Sequence, residues 1–389
     1  MFDVFSVPQN ITFGKSAITF IPEILKKEQC SSVFLISDNG LAKIGLVERV
    51  SVLLKENGIR VFSFTDISTN PTSEAVESCF KEWKLNESKV IIALGGGSPM
   101  DVAKAVGVLA SYGGSIKDYE GSQKVPGEIV PIIAIPTTAG TGSEVTASSV
   151  ITDSQTHFKY AVFSDVLKPK YAILDPDLIS TLPKFVAAMT GVDAFIHAFE
   201  SFISLKSNPV SESFSLGAIR LFARSLEIFV DDRTNSKAAE DMLLGSMLAG
   251  IAFTHVRLGN IHAMSHPLSG HFGVPHGVAN ASLLVTVLEY NAKECAGKYR
   301  EVYEILSGTK PESFIPADLI EWVKNWLVRL GLPIQAEELK EIQKLETRID
   351  DALLNVLVED AMMSGNVAVN PRFTTADDIE AMYRKTLAL

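Results

Sequence analysis

The chain has 389 residues, 47% of them hydrophobic and 21% charged, with a formal net charge of -11. That length favours two domains with sizeable cores, and the acidic balance argues against nucleic-acid or anionic-membrane partners. No uninterrupted apolar run is expected to span a bilayer, and the start, MFDVFSVPQNITFG, lacks the basic and apolar regions of a signal peptide.

Taken in order, residues 32–37 read as a buried strand that ends in the turn Asp38-Asn39-Gly40, followed by an amphipathic helix over 46–57. Residues 61–64 form a second strand. A helix over 73–83 follows the Asn70-Pro71-Thr72 turn, with Thr72 or Ser73 as its cap. Strands at 90–94 and 130–135 flank a helix from about 100 to 111. Repeated β-α-β units of this kind predict an α/β, Rossmann-like domain with a parallel sheet covered on both faces. After Asp175-Pro176-Asp177 strand signals become scarce, and the boundary is placed near Leu182-Pro183, giving domains 1–182 and 183–389. The second domain reads as all-α, with helices over 183–190, 191–204, 209–230 and 236–254 and a further set beyond Pro316. The three cysteines, Cys30, Cys79 and Cys295, form no C-x-x-C motif and fit a reducing, cytoplasmic setting.

Two loops carry the chemistry of the first half. Strand 90–94 runs into Gly95-Gly96-Gly97-Ser98-Pro99-Met100-Asp101, where a helix begins at once. Glycines let backbone N–H groups approach a phosphate, and the helix N-terminus adds partial positive charge. The spacing is not G-x-G-x-x-G, so the ordinary dinucleotide fingerprint is absent, and a plain strand-to-helix turn is the alternative. The second loop, Pro136-Thr137-Thr138-Ala139-Gly140-Thr141-Gly142-Ser143-Glu144, offers hydroxyls and flexible amides suited to a pyrophosphate or a nicotinamide ribose. Asp38, after an early strand, either caps a turn or accepts from a ribose 2′-hydroxyl, which would favour NAD over NADP.

The second half holds the histidines. Four of the seven, His262, His266, His271 and His276, lie within Gly259-to-Asn280, and His255 is just upstream. Neutral imidazole is the commonest transition-metal ligand, so the clustering suggests a metal. An acid comes from GVDAFIHAFE at 191–200, where Asp193 and His197 share one helical face among Val, Ala, Phe and Ile. A carboxylate there must be paired or coordinated; an Asp–His hydrogen bond without metal is the simpler possibility. An O/N set without thiolate suits Fe(II), Mn(II) or Zn(II). Two of His262, His266 and His276 with Asp193 and His197 would give four ligands, and chemistry alone leaves open which histidine is left over.

GGGSPMDVAKA at 95–105, PTTAGTGSEVT at 136–146, GVDAFIHAFE at 191–200 and IHAMSHPLSGHFGVPHG at 261–277, with Asn70-Pro71-Thr72 and Asn370-Pro371-Arg372, together resemble the iron-containing (group III) alcohol dehydrogenases along essentially the whole chain. The resemblance implies a dehydroquinate synthase-like architecture and hydride transfer between a primary alcohol and NAD. It implies ferrous iron, with zinc, manganese or cobalt as alternatives, held by Asp193, His197, His262 and His276. His266 would then stand beside the nicotinamide as the catalytic proton relay. Asn70, Gly96, Gly97, Ser98, Asp101, Thr137, Thr138, Thr141, Ser143 and Lys159 would serve the cofactor, with Asp38 setting NAD preference, and Phe253 would face the substrate. A small alcohol or aldehyde is the expected partner, in a homodimer or larger assembly.

One departure is Thr254-His255-Val256-Arg257, which puts an arginine near Phe253 and suggests an anionic aldehyde unless Arg257 pairs with a protein carboxylate. A glycerol dehydrogenase-like or dehydroquinate synthase-like enzyme of the same fold is a competing reading, and a non-enzymatic metal- or nucleotide-binding protein is another.

Overall fold

The structure, a computed structural model, describes Phe5, Val7 and residues 10–154, 159–333 and 349–389. Part of the helical set expected beyond Pro316, residues 334–348, lies outside the described residues. The chain divides into two compact units, Met1–Thr181 and Leu182–Leu389.

The first unit contains strands β1 (Asn10–Phe13), β2 (Ser32–Ile36), β3 (Arg60–Phe64), β4 (Ile91–Gly95), β5 (Gly121–Ser122), β6 (Ile132–Pro136), β7 (Ser148–Thr152), β8 (Lys159–Phe163) and β9 (Tyr171–Leu174). Its helices are α1 (Ile21–Lys27), α2 (Asn39–Lys43), α3 (Leu46–Glu56), α4 (Ser73–Lys84) and α5 (Gly97–Tyr112). Six strands form one all-parallel sheet in the order β1, β9, β6, β4, β2, β3. Alternate residues of each strand face opposite sides, so the sheet builds two cores. Phe34, Ile36, Ile91 and Ala93 pack with Val76, Trp83, Val102 and Val106 of α4 and α5 on one side. Val33, Leu35, Ile92 and Leu94 pack with Ile24, Leu25, Val50 and Leu54 of α1 and α3 on the other. The parallel-sheet expectation is borne out. Periodicity missed the second, three-stranded sheet of β5, β8 and β7, in which β7 and β8 pair antiparallel.

The second unit contains α6 (Lys184–Ile203), α7 (Pro209–Asp231), α8 (Ser236–Val256), α9 (Asn260–Phe272), α10 (His276–Ser307), α11 (Pro316–Arg329), α12 (Asp351–Met363) and α13 (Ala376–Leu387). No strand occurs among its described residues. The two helices expected over 183–190 and 191–204 are a single helix, α6. Gly191 does not break it because the missing side chain is needed for packing: a Cβ there would stand 2.3 Å from Leu226 Cδ1 of α7. Helix α6 is also long and apolar enough by composition to cross a membrane, but Asp193, His197 and Glu200 interrupt it and 83% of its apolar stretch is buried within the fold. It is the core helix of its unit and carries Asp193, His197 and Glu200 inward, all 5% exposed or less.

Helix α9 stops at Gly273, which takes the left-handed φ of 67° that a side chain disfavours, and α10 starts three residues later at His276. Gly277 then seats α10 on α6, since a Cβ there would meet the Met189 carbonyl oxygen at 2.4 Å. A backbone oxygen cannot rotate away as a side chain can. Gly277→Ala is therefore expected to destabilise the protein by about 1–3 kcal/mol, read as a lower denaturation midpoint. A midpoint equal to wild type would mean that α10 shifts freely.

Candidate functional site

Strands β4 and β6 are neighbours, with Gly95 paired to Pro136, so the two glycine-containing loops leave the sheet side by side. They interlock through missing side chains. A Cβ at Gly96 would stand 3.2 Å from Thr138 Oγ1, and one at Gly97 would stand 3.0 Å from Thr141 Cγ2. Thr137 N donates to Gly95 O at 3.1 Å. Helix α5 begins at Gly97 with Ser98 in its first turn, so its unpaired N–H groups open at the strand ends, where parallel sheets bind anionic ligands. The strand order reverses between β2 and β4, and Asp38 follows β2 at that point. Asp38 caps α2, its Oδ1 accepting from Leu41 N at 2.9 Å, which is its simpler sequence reading. Asn70, at φ 59°, accepts from Lys159 Nζ at 2.8 Å, so two residues singled out separately form a pair.

Asp101 and Ser143 are joined as well. Ser143 Oγ donates to Asp101 Oδ1 at 3.2 Å, and Val150 N donates to Oδ2 at 3.2 Å. Burial pushes the Asp101 carboxyl up to about 6 against the pull of Lys104. Lys104, which sequence reasoning missed, is wholly inaccessible. Its Nζ donates to Ser143 Oγ at 2.9 Å, Thr146 Oγ1 at 3.0 Å and Ser148 O at 2.9 Å. Burial lowers it to about 8, with Asp101 and Glu144 opposing, and Glu144 is itself pushed up to about 7 by burial. The signal was present: a lysine inside the apolar run VAKAVGVLA cannot be idle.

The second unit gathers the histidines. Donor atoms of Asp193, His262 and His276 lie within 4.8 Å of one another. Asp193 Oδ1 stands 3.5 Å from His262 Nε2 and 3.8 Å from both His276 Nε2 and His197 Nε2. The His197 ring stacks on His262 at 4.6 Å between centroids and also meets Phe253 at 4.6 Å. His266 is half-buried and stacks on His276, with centroids 5.2 Å apart. His271 turns elsewhere: its Nε2 is 2.7 Å from Asp360 Oδ2 of α12.

Burial raises the Asp193 carboxyl, but His197, His276 and His262 outweigh it and hold the group well below the usual carboxylate range. Burial likewise lowers His262, yet hydrogen bonds to Asp193 and Glu200 carry it up to about 9. Two further residues were missed. Glu200 Oε2 is 2.7 Å from His262 Nδ1. Asn280 Nδ2 donates to Asp193 Oδ1 at 2.6 Å and lies 3.1 Å from His262 Nε2 and 3.2 Å from His276 Nε2. Glu200 follows His197 by one turn and Asn280 follows His276 by one turn, so helical spacing could have flagged both.

Arg257 ends α8 with φ 61°, its N–H donating to Phe253 O at 2.8 Å. Its guanidinium lies against Gly365, where a Cβ would stand 1.8 Å from Nη1. No carboxylate among the described residues forms an ion pair with it.

Such a site, an acid and imidazoles gathered on three helices in a chain that also carries a glycine-loop α/β unit, defines a class of metal- and nucleotide-dependent protein. The profile of iron-containing alcohol dehydrogenases matches residues 8–176, and that of the C-terminal part of the same family matches 187–387. The 1,3-propanediol dehydrogenase of Citrobacter freundii is 34% identical over 388 residues, 99% of this chain and 98% of that relative. A solved 1,3-propanediol oxidoreductase superposes with TM-score 0.93 at 32% identity, covering 99% of this chain and 100% of that one. The sulfoacetaldehyde reductase of Bifidobacterium kashiwanohense, solved with NAD+, gives TM-score 0.87 at 30% identity, covering 100% and 99%. The chain belongs to the iron-containing alcohol dehydrogenase family. The resemblance read from the motifs is thus borne out, and with it an enzyme of alcohol and aldehyde oxidoreduction.

Lys104 yields a sharp expectation for the first unit. Lys104→Met keeps the stem but leaves three oxygens without their buried cation, a loss of about 3–5 kcal/mol. A urea midpoint unchanged from wild type would contradict the role of Lys104 as the strut between α5 and the second loop.

Proposed function

We propose that this protein transfers a hydride between a primary alcohol and NAD, with Asp193, His197, His262 and His276 holding a ferrous ion. The observation that carries the reading is the convergence of Asp193, His262 and His276 within 4.8 Å, with His197 alongside. One carboxylate and imidazoles without thiolate fit such an ion. The Asn280 amide supports it too: its nitrogen sits among these acceptors while its Oδ1 is buried with no partner among the described residues. The meeting point draws positive charge.

When bound, the cation supplies a Lewis acid for the substrate oxygen and NAD the hydride acceptor. The protein's own groups do the rest. His266, stacked on His276, relays the substrate proton through its ring nitrogens. Phe253, against His197, walls the substrate from water. In the first unit, residues 1–182 in this reading, Gly96, Gly97 and Ser98 offer N–H groups to the pyrophosphate, and Thr137, Thr138 and Thr141 line the cofactor. Asp101 and Ser143 brace that loop, Lys159 with Asn70 serves the nicotinamide ribose, and Asp38 disfavours a 2′-phosphate. The NAD+ complex of the sulfoacetaldehyde reductase supports this choice of cofactor. The free, buried thiols Cys30, Cys79 and Cys295 support a reducing cytoplasm. Edge strand β1, with Ile11 and Phe13 exposed, supports pairing with a second copy.

The guanidinium of Arg257, in no ion pair among the described residues and one turn beyond Phe253, supports a small anionic aldehyde as substrate. Arg257→Ala is expected to lower kcat/KM for sulfonate- or carboxylate-bearing aldehydes about tenfold or more relative to neutral ones. An unchanged ratio disposes of the anionic preference alone.

The reading as a whole is tested by reconstituting the protein with Fe(II) and following NADH at 340 nm with a panel of aldehydes. A metal-loaded protein that binds NADH and oxidises none of it would leave only a binding function. His262→Ala is expected to abolish metal retention and turnover, whereas His266→Ala keeps the metal and slows turnover about 10²–10⁴-fold. Metal analysis with the reverse outcome would refute the assignment.

A further inference from the structure

Glu200 is 1% exposed and lies on the face of α6 that carries Asp193 and His197. Its Oε1 accepts the Ile261 N–H at 2.8 Å, one of the N–H groups that the first turn of α9 leaves without an intrahelical partner. With that oxygen fixed by backbone, the other is fixed toward His262 Nδ1 at 2.7 Å. The approach is close because residue 259 is glycine: a Cβ there would stand 2.8 Å from Glu200 Oε1 and 3.2 Å from Asn370 Oδ1. Asn370 in turn exchanges hydrogen bonds with Asn291 at 3.0 and 2.8 Å, so the Asn-Pro-Arg segment braces the start of α9 from behind.

A histidine that ligates a cation is a neutral imidazole, with one N–H and one lone pair. An acceptor held at Nδ1 puts the hydrogen there and leaves the lone pair on Nε2, which faces Asp193 and His276. We propose that Glu200 is a positioning residue that selects the Nδ1–H tautomer and the ring orientation of His262, so that Nε2 is presented to a divalent cation. The proposal rests on the metal-dependent reading above. A glutamate that only capped α9 would need Ile261 alone and would leave metal affinity untouched.

Glu200→Gln separates the two roles because it keeps the size and has a single acceptor. If the amide oxygen serves Ile261, its NH2 group faces Nδ1 and drives His262 to the Nε2–H form. The reverse arrangement would set two donors against each other at Ile261, whose backbone N–H cannot adapt as an imidazole can, so the amide oxygen stays on Ile261. Apo wild type and Glu200→Gln are titrated with zinc against a chromophoric chelator, with thermal melts of both apo proteins. Wild type is expected to bind one equivalent, and the variant, still melting cooperatively, to bind about 10- to 100-fold more weakly. Equal affinity would overturn the role of Glu200 and leave the metal reading standing. A wild type that takes up no zinc would overturn the metal reading and this proposal with it. Should Glu200→Gln fail to fold, the zinc-loaded wild type labelled with 15N-histidine decides: His262 protonated at Nδ1 and metal-bound at Nε2 supports the role, and the opposite arrangement overturns it.

Discussion

A carboxylate buried in an apolar helix must be surrounded by partners, and the second unit is arranged to provide them. Asp193 lies between Val192, Ala194 and Phe195 and is 3% exposed. Ionised and alone there it would be strongly unfavourable, so its position demands donors or cations on every open side. His197 comes from the next turn of the same helix. His262, His276 and Asn280 can arrive only if α9 ends abruptly and α10 turns back within a few residues, which the left-handed Gly273 and the Pro275 that precedes α10 allow. Gly259 and Gly277 remove the two side chains that would hold α9 and α10 away from α6. The glycines of this region serve close approach more than flexibility.

The first unit answers the same constraint with the opposite sign. Lys104 is a cation enclosed by hydroxyl and carbonyl oxygens, near the acids Asp101 and Glu144. Its three donors converge on the segment that follows β6, so the loop that carries Thr137, Thr138 and Thr141 is held from below by a buried charge. Three-donor geometry on a long stem lets one side chain tie Ser143, Thr146 and Ser148 together, which a neutral residue of that length could not do. A loop fixed in this way presents its backbone without having to be ordered by its ligand.

Much of this was legible in the residues themselves. The β-branched runs gave β2, β3, β4 and β6 of the large sheet to within a few positions, though not β1 and β9, and the spacing of Asp193 and His197 announced one helical face. Glycine misled at residue 191, where local propensity suggests a break, but the neighbouring Leu226 requires the absence of a side chain. The short strands β5, β7 and β8 were missed because their pairing is decided by distant segments. Glu200, Asn280 and Lys104 stand outside the histidine cluster and the glycine loops, although a polar group in an apolar run is the same signal that exposed Asp193.

By itself the sequence determined which groups could do chemistry, because residue type fixes donor, acceptor and charge, and helical or strand periodicity fixes which of them share a face. Only the tertiary structure decided which groups meet. It joined Asn70 to Lys159 and Asp101 to Ser143, sent His271 to Asp360, and set Glu200 behind His262. Those pairings span between 42 and 89 residues of chain. The reason is physical: periodicity is a property of a few neighbouring residues, whereas a buried polar atom is satisfied by whatever the packing of separate elements brings within 3 Å.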